Sequence, residues 1–123
     1  MRSIVAALLL AACATPAPQP EVTPAVNCHP EVAGSETPGI VAPVVLHKEP
    51  PKTPYYPSGH RIVEMDAIID QTGQIIEVCP IRGERDFFDA AERALRNWRF
   101  KPATLDGKPV PFRFHFTTRF GSS

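Results

Sequence analysis

The feature that most constrains this chain is a run near its C-terminus in which aromatic and polar residues alternate. Phenylalanine occupies every second position from 112 to 120 except 118, which is threonine. Side chains of a β-strand point alternately to the two faces of its sheet, so this strand has one apolar face and one polar face. The polar face carries Arg113, His115, Thr117 and Arg119. The aromatic face needs a second layer to cover it.

The residues that follow Asp86 supply such a layer, because their apolar side chains recur at helical spacing. Asp86 is the expected N-cap, and Pro102 prevents the helix from continuing. A helix of about 11 residues is not stable alone, so we expect it to pack on the sheet. The expected structural core contains Leu95, Trp98, Phe100 and Phe114.

Two further strands are predicted before the helix. Residues 61–70 alternate apolar and polar side chains, and residues 74–81 form a second apolar run. Gly73 lies in the short turn between them, where a residue free to adopt positive φ is needed. The third strand is expected from Val110 onward. The order β-β-α-β predicts an α+β fold, a small two-layer domain with a three-stranded antiparallel sheet and one helix, over residues 55–123.

The residues before this domain are rich in proline. Eleven of the fifteen prolines lie between Pro16 and Pro57, and proline opposes both helices and internal strands. We interpret residues 13–54 as a semi-rigid extended tether. The exception is the apolar run Gly39–Leu46, which either docks on the domain as a short edge strand or remains part of the tether.

The N-terminus has the pattern of a secretory signal peptide. Arg2 is followed by nine apolar residues, Ile4–Ala12, too few for the roughly 20 that span a bilayer. We assign residues 1–12 to the signal. Leu10-Ala11-Ala12-Cys13 resembles a bacterial lipobox, which implies lipidation of Cys13 and anchoring in the periplasm. By that resemblance Ala14, which is not aspartate, favours the outer membrane over the inner one. The alternative is an ordinary secretory peptide with a chance cysteine.

Cys28 and Cys79 are the other cysteines. In an oxidising compartment a pair of thiols predicts a disulfide, although two unpaired thiols are the alternative. Neither CxxC nor HxxxH spacing surrounds Cys28 and His29, so no metal and no cofactor are expected. The formal net charge is zero, which argues against nucleic acid as a partner.

Several short motifs of the domain together carry a family resemblance. They are Tyr56-Pro57, Asp70-x-x-Gly73, Phe88-Asp89-x-Ala91, Ala94-x-x-x-Trp98-Arg99-Phe100-x-Pro102-Ala103 and Asp106-Gly107-Lys108-Pro109-Val110. This pattern is similar to that of the C-terminal domain of TonB-family proteins. The resemblance covers about Thr53 to Phe120.

The resemblance implies a periplasmic module that binds the TonB box, a short peptide of outer-membrane TonB-dependent receptors, or segments of other envelope proteins. Such peptides add a strand beside the last strand of the domain. Arg113, His115, Thr117 and Arg119 are then the expected partner contacts, whereas the alternative for these side chains is an ordinary solvated face.

Two functions remain open, and a third is not favoured. The first is a lipid-anchored TonB-like binding module, and the second is a structural envelope lipoprotein that self-associates, for instance as a homodimer. An enzyme is not expected, because no nucleophile and base stand at a recognisable spacing. The energy-transducing members of the family carry an N-terminal transmembrane helix where this chain has its lipobox, so the resemblance supports binding more than force transduction.

Overall fold

The computed structural model describes residues 20–23, 28–55 and 59–121. The predicted signal peptide, Cys13 and the motif Tyr56-Pro57 lie outside these ranges. The described part contains one helix and eight short or medium strands. They are β1 (Ile40–Val41), β2 (Val44–His47), β3 (Arg61–Ile69), β4 (Ile75–Arg82), α1 (Arg85–Arg96), β5 (Arg99–Lys101), β6 (Ala103–Leu105), β7 (Lys108–Val110) and β8 (Phe112–Phe120).

The main sheet is antiparallel, with the strand order β4-β3-β8. The two long strands β3 and β8 pair along their whole length, from Arg61 opposite Phe120 to Ile69 opposite Phe112. The prediction of a small α+β domain with one helix and a three-stranded antiparallel sheet is confirmed. Because β3 lies in the centre, the last strand of the chain is an edge strand.

The core lies between α1 and the aromatic face of β8. Phe87 and Leu95 of the helix are fully buried, and Trp98 and Phe100 beyond its end are 6% and 2% exposed. The rings of Trp98 and Phe116 pack edge-on, with their centroids 5.2 Å apart. The phenylalanines of β8 complete this layer: Phe112, Phe116 and Phe120 are buried, and Phe114 packs against them while partly exposed.

The predicted N-cap of the helix was wrong. Glu84 is the N-cap, with an extended backbone and no capping hydrogen bond from its side chain, and Asp86 lies in the first turn. The helix thus begins one residue before Asp86, directly after a bridge between Glu84 and Glu21 and a hydrogen bond from the N–H of Val22 to the carbonyl of Gly83 at 2.9 Å, which keep the chain extended up to that point. Asp86 keeps a favourable position near the positive end of the helix dipole.

Five short strands attach the preceding segment to the domain: β1 and β2 lie in the run for which an edge strand was one alternative, whereas β5, β6 and β7 were not predicted as separate strands. β2 pairs with β5, β1 pairs with β6, and β6 pairs with β7. The apolar run Gly39–Leu46 therefore docks, with Pro43 between its two strands. The indole N–H of Trp98 then donates to the carbonyl of Glu49 at 2.8 Å. The folded unit thus includes residues that the sequence analysis placed in the tether.

The turn between β3 and β4 is held by Asp70 and Gly73. One carboxylate oxygen of Asp70 accepts hydrogen bonds from the hydroxyl and N–H of Thr72 and from the N–H of Gln74, at 2.6 to 3.0 Å. The hydroxyl of Thr72 is the main cause that lowers the pKa of this carboxyl. Gly73 has a φ of +88°, and its carbonyl accepts from the N–H of Phe100 at 3.0 Å.

We expect Gly73→Ala to lower the free energy of unfolding by more than about 2 kcal/mol, because the residue needs positive φ and because a Cβ would collide with the carbonyl of Phe100. Gly107→Ala is the matched control, since Gly107 has a φ of +78° but no neighbouring atom of the described residues lies within 4 Å of the added carbon. Its cost should be near 1 kcal/mol. Urea unfolding of both variants measures the difference, and equal losses would contradict the close approach.

Candidate functional site

The outer edge of β8 presents backbone groups that no strand of the described residues pairs with. The N–H of Arg113 donates to the carbonyl of Ala33 at 2.8 Å, so the backbone of Arg113 faces away from β3. Backbone direction alternates along an antiparallel strand. The N–H and C=O groups of His115, Thr117 and Arg119 therefore also point outward. Except at Arg113, this edge is available for a further strand.

The polar face of β8 carries the four side chains that the sequence analysis singled out. His115 lies opposite Asp66 on β3, and its Nδ1 is 3.0 Å from a carboxylate oxygen of Asp66. Its Nε2 lies 3.7 Å from Glu64 and 3.3 Å from the hydroxyl of Thr117. Two carboxylates on the central strand thus orient a histidine whose side chain is 57% exposed.

The other two members of the set differ from each other. Arg119 is exposed at the far end of β8, opposite Ile62. Arg113 forms an ion pair with Glu36, and its side chain is only 22% exposed. The structure therefore brings His115 and Thr117 into contact, leaves Arg119 in solvent, and holds Arg113 against another part of the chain.

That other part is residues 28–37, which we call the strap. It begins on β4, where Cys28 forms a disulfide with Cys79 across a Cα–Cα distance of 6.1 Å. Two residues before Cys79 on the same strand, a carboxylate oxygen of Glu77 lies 2.6 Å from Nε2 of His29. The strap ends at the opposite edge of the sheet, at Arg113. It therefore crosses the polar face of all three strands.

The burial of Ile68 shows what the strap covers. Ile68 points to the polar face of β3, between Glu77 on β4 and Arg113 on β8, yet it is only 4% exposed. Both of its neighbours are strap contacts. The disulfide closes a sequence separation of 51 residues, which in the chain-entropy model is an upper stabilisation of about 4 kcal/mol.

Sequence reasoning missed the strap residues that reach β8. The cysteine pair indicated that the segment is attached to β4, but no motif indicated that Ala33 and Glu36 meet Arg113. These contacts join residues that are 77 or more positions apart. The local pattern contains one relevant feature, Gly34, whose missing side chain leaves room for the guanidinium of Arg113.

A groove of about 490 Å³ adjoins the covered end of the β8 edge. Its lining includes Ser35, Glu36, Ala42, Pro43, Asp66, Phe112, Arg113, Phe114 and His115. One wall is the end of the strap, and the other is the link between β1 and β2.

The comparisons with known proteins agree with this fold. The family model described as "Gram-negative bacterial TonB protein C-terminal" matches residues 58–121, which is slightly more than half of the chain. No curated protein matches the chain. Within the described ranges, α1 falls short of the length and apolar character that a membrane-crossing helix requires.

The attachment of the strap to β4 should depend on pH through His29. Hydrogen bonds to Glu77 and then to Glu31 raise the pKa of His29 above its ordinary value of 6.5. The protonated ring is thus favoured in the folded state, so its contribution to stability is complete below pH 6.5 and is lost as the pH rises through the folded pKa.

We expect the unfolding midpoint of His29→Gln in urea to fall below that of the wild type in mildly acidic solution and to approach it above neutral pH. His47→Gln is the control, since none of the described contacts joins His47 to a carboxylate. If the difference in unfolding midpoint between His29→Gln and the wild type stays constant across this pH range, protonated His29 does not stabilise the fold in this way.

Proposed function

Because the chain belongs to the family of Gram-negative bacterial TonB protein C-terminal domains, we propose that it is a lipid-anchored periplasmic module that binds peptide segments of outer-membrane TonB-dependent receptors. Membership itself makes the chain a TonB-like protein of the cell envelope. The proposal adds the binding mode, the partner and the anchor.

The open edge of β8 is the observation that supports the binding mode. An added antiparallel strand exchanges both its N–H and its C=O with every second residue of its neighbour. His115, Thr117 and Arg119 are the three residues with outward backbone groups beyond the strap, so the edge offers about six hydrogen bonds. Main-chain pairing of this kind supplies affinity without requiring a particular side chain.

The polar face next to this edge supplies specificity. The side chains of His115, Thr117 and Arg119 lie on the polar face of the sheet. Every second side chain of an added strand would point to that same face and could contact them. The contact with Asp66 fixes the ring of His115, so a partner meets an ordered donor or acceptor with little loss of rotamer freedom. Arg113 is at the boundary of the open edge, where its guanidinium already pairs with Glu36.

The anchor rests on the lipobox-like sequence Leu10-Ala11-Ala12-Cys13. We propose that Cys13 is lipidated and that the mature protein is held at the outer membrane. Two or more acyl chains hold a protein stably on one leaflet. Binding then takes place on a leash that starts at Cys13 and ends where Glu21 and Val22 contact the folded domain.

Self-association is the second candidate, and the exposure of β2 favours it. Val44, Val45 and Leu46 are 54%, 42% and 67% exposed, although they are apolar and belong to a strand with a single partner. An exposed apolar edge strand can pair with a second copy. Sedimentation over a range of concentrations separates the two candidates: a receptor-binding monomer keeps its mass, and a scaffold protein does not.

We expect Thr117→Pro to abolish peptide binding while the domain stays folded. The N–H of Thr117 points away from β3, so proline removes a donor that only an added strand uses. Isothermal titration with a TonB box peptide should show at least a tenfold loss of affinity. The hydrogen bond donated by residue 117 is lost, and the proline ring obstructs the adjacent hydrogen bonds to the peptide.

Thr117→Val is the matched control, because it keeps the backbone donor and removes only the hydroxyl. Its affinity should remain within about threefold of the wild type. Circular dichroism confirms that both variants are folded. Unchanged binding by a folded Thr117→Pro variant would rule out strand addition at β8.

We expect Cys13→Ser to move the full-length protein from the membrane fraction to the soluble periplasmic fraction, because the acyl chains have no other attachment point in this proposal. Mass spectrometry of the mature wild-type protein should show acyl mass on its N-terminal cysteine. Cys28→Ser is the control and should stay with the membrane. A wild-type protein without acyl mass would contradict the anchor.

A further inference from the structure

We propose that the strap ends the added strand, so that this protein accepts an extended peptide segment of about six residues opposite positions 115–120 and excludes a longer one. This inference rests on the proposed function and concerns the register and length of the partner segment. It assigns a role to Ala33 and Glu36, which lie outside β8, and to the groove beside them.

The chain itself occupies the first outward donor of β8. The carbonyl of Ala33 accepts from the N–H of Arg113 at 2.8 Å, in the position that an added strand would otherwise take. Two acceptors cannot share this donor at full strength. A peptide that continued past His115 would have to displace Ala33, and the strap with it.

Ala33 is held in place by the turn that follows it. The next residues form a closed turn, in which the N–H of Thr37 donates to the carbonyl of Gly34 and the N–H of Gly34 donates to the hydroxyl of Thr37, both at 3.0 Å. Glu36 extends from this turn to pair with Arg113. Gly34 is buried beneath that ion pair.

The other end of the strap is held covalently. Cys28 is bonded to Cys79, and His29 lies between Glu31 and Glu77. Displacing Ala33 therefore cannot be achieved by lifting a loose end. It would break the turn and the ion pair, and it would expose Ile68 to water.

The groove gives the end of the added strand a place to lie. It adjoins the edge of β8 at His115, immediately before the position that Ala33 occupies. Pro43, in its far wall, has no N–H to offer a passing strand. The groove is therefore suited to a terminal residue of the added segment, beyond which the peptide must bend away from the sheet.

The test is a length series. Nested peptides from about four to about ten residues, centred on the TonB box of a receptor from the same bacterium, are titrated against the folded chain with its disulfide intact. Affinity should rise roughly fivefold with each added bonded position, and it should change by less than about twofold beyond six residues. Amide exchange of Thr37 reports the strap, and its protection should persist in the complex.

Glu36→Gln loosens the strap without altering the edge. It should therefore move the plateau, which is the peptide length beyond which affinity stops rising, toward longer peptides. The double variant Cys28→Ser with Cys79→Ser should move it further, and Glu36→Gln serves alone if the double variant does not fold. Glu92→Gln is the control, since Glu92 pairs with Arg96 on the outer surface of the helix. It should leave the plateau in place.

The outcomes separate this inference from the proposed function. Affinity that keeps rising beyond about eight residues, with loss of protection at Thr37, would overturn the inference and leave strand addition intact. A wild-type protein that binds no peptide of any length would overturn the proposed function and the inference together. A plateau that Glu36→Gln does not move would show that the end of the strand is set by something other than the strap.

Discussion

The burial of the β8 phenylalanines beneath α1 is the interaction on which the remaining structure depends. Each buried phenylalanine contributes about 2 to 3 kcal/mol of transfer free energy, and three of the four are buried. With that face committed to the core, the period of the strand leaves only one orientation for Arg113, His115, Thr117 and Arg119. The same burial places β8 beside β3, and its other edge is left outside the sheet.

A domain of this size has little apolar surface to bury, and the segments before it add to what it has. Val22 inserts next to the start of the helix and is 4% exposed. The strap covers Ile68 on the other side of the sheet, and β2 pairs with β5. The helix therefore covers one face of the sheet, and the preceding chain covers part of the other. This second covering layer determines how much of the polar face meets solvent.

Local periodicity predicted the long elements well. The alternation in β3 and β8 and the helical spacing of α1 are strong patterns, and the antiparallel α+β fold follows from their order. Periodicity did not predict the N-cap of α1, because the boundary is set at Glu84 by its bridge with Glu21, a contact with a distant segment. It also left the edge strand in Gly39–Leu46 undecided and missed β5, β6 and β7, because two to four residues carry too little pattern to be recognised.

The residues of the candidate site also fall into two groups, those that the sequence predicts and those that it does not. The four polar side chains of β8 could be read from the sequence because they repeat with period two. The contacts of Ala33 and Glu36 with Arg113 could not, since they depend on a loop closed by a disulfide and on the space that Gly34 leaves. Tertiary contacts between distant segments leave no periodic trace in either segment. The boundary between the open and the covered part of the edge is therefore visible only in the folded molecule.

The disulfide also decides how a mechanical load would travel through the molecule. A pull on the N-terminal end first meets Glu21 and Val22, which are bound to Glu84 and Gly83. Beyond them it reaches Cys28 and passes through the disulfide to Cys79 on β4, so the backbone of the strap is bypassed. A peptide on β8 would draw from the opposite edge of the sheet. The tension between these two points must cross both ladders of β3, where many backbone hydrogen bonds resist it side by side. The strap and the short strands stand outside this line of force, so the boundary of the β8 edge would keep its shape under tension.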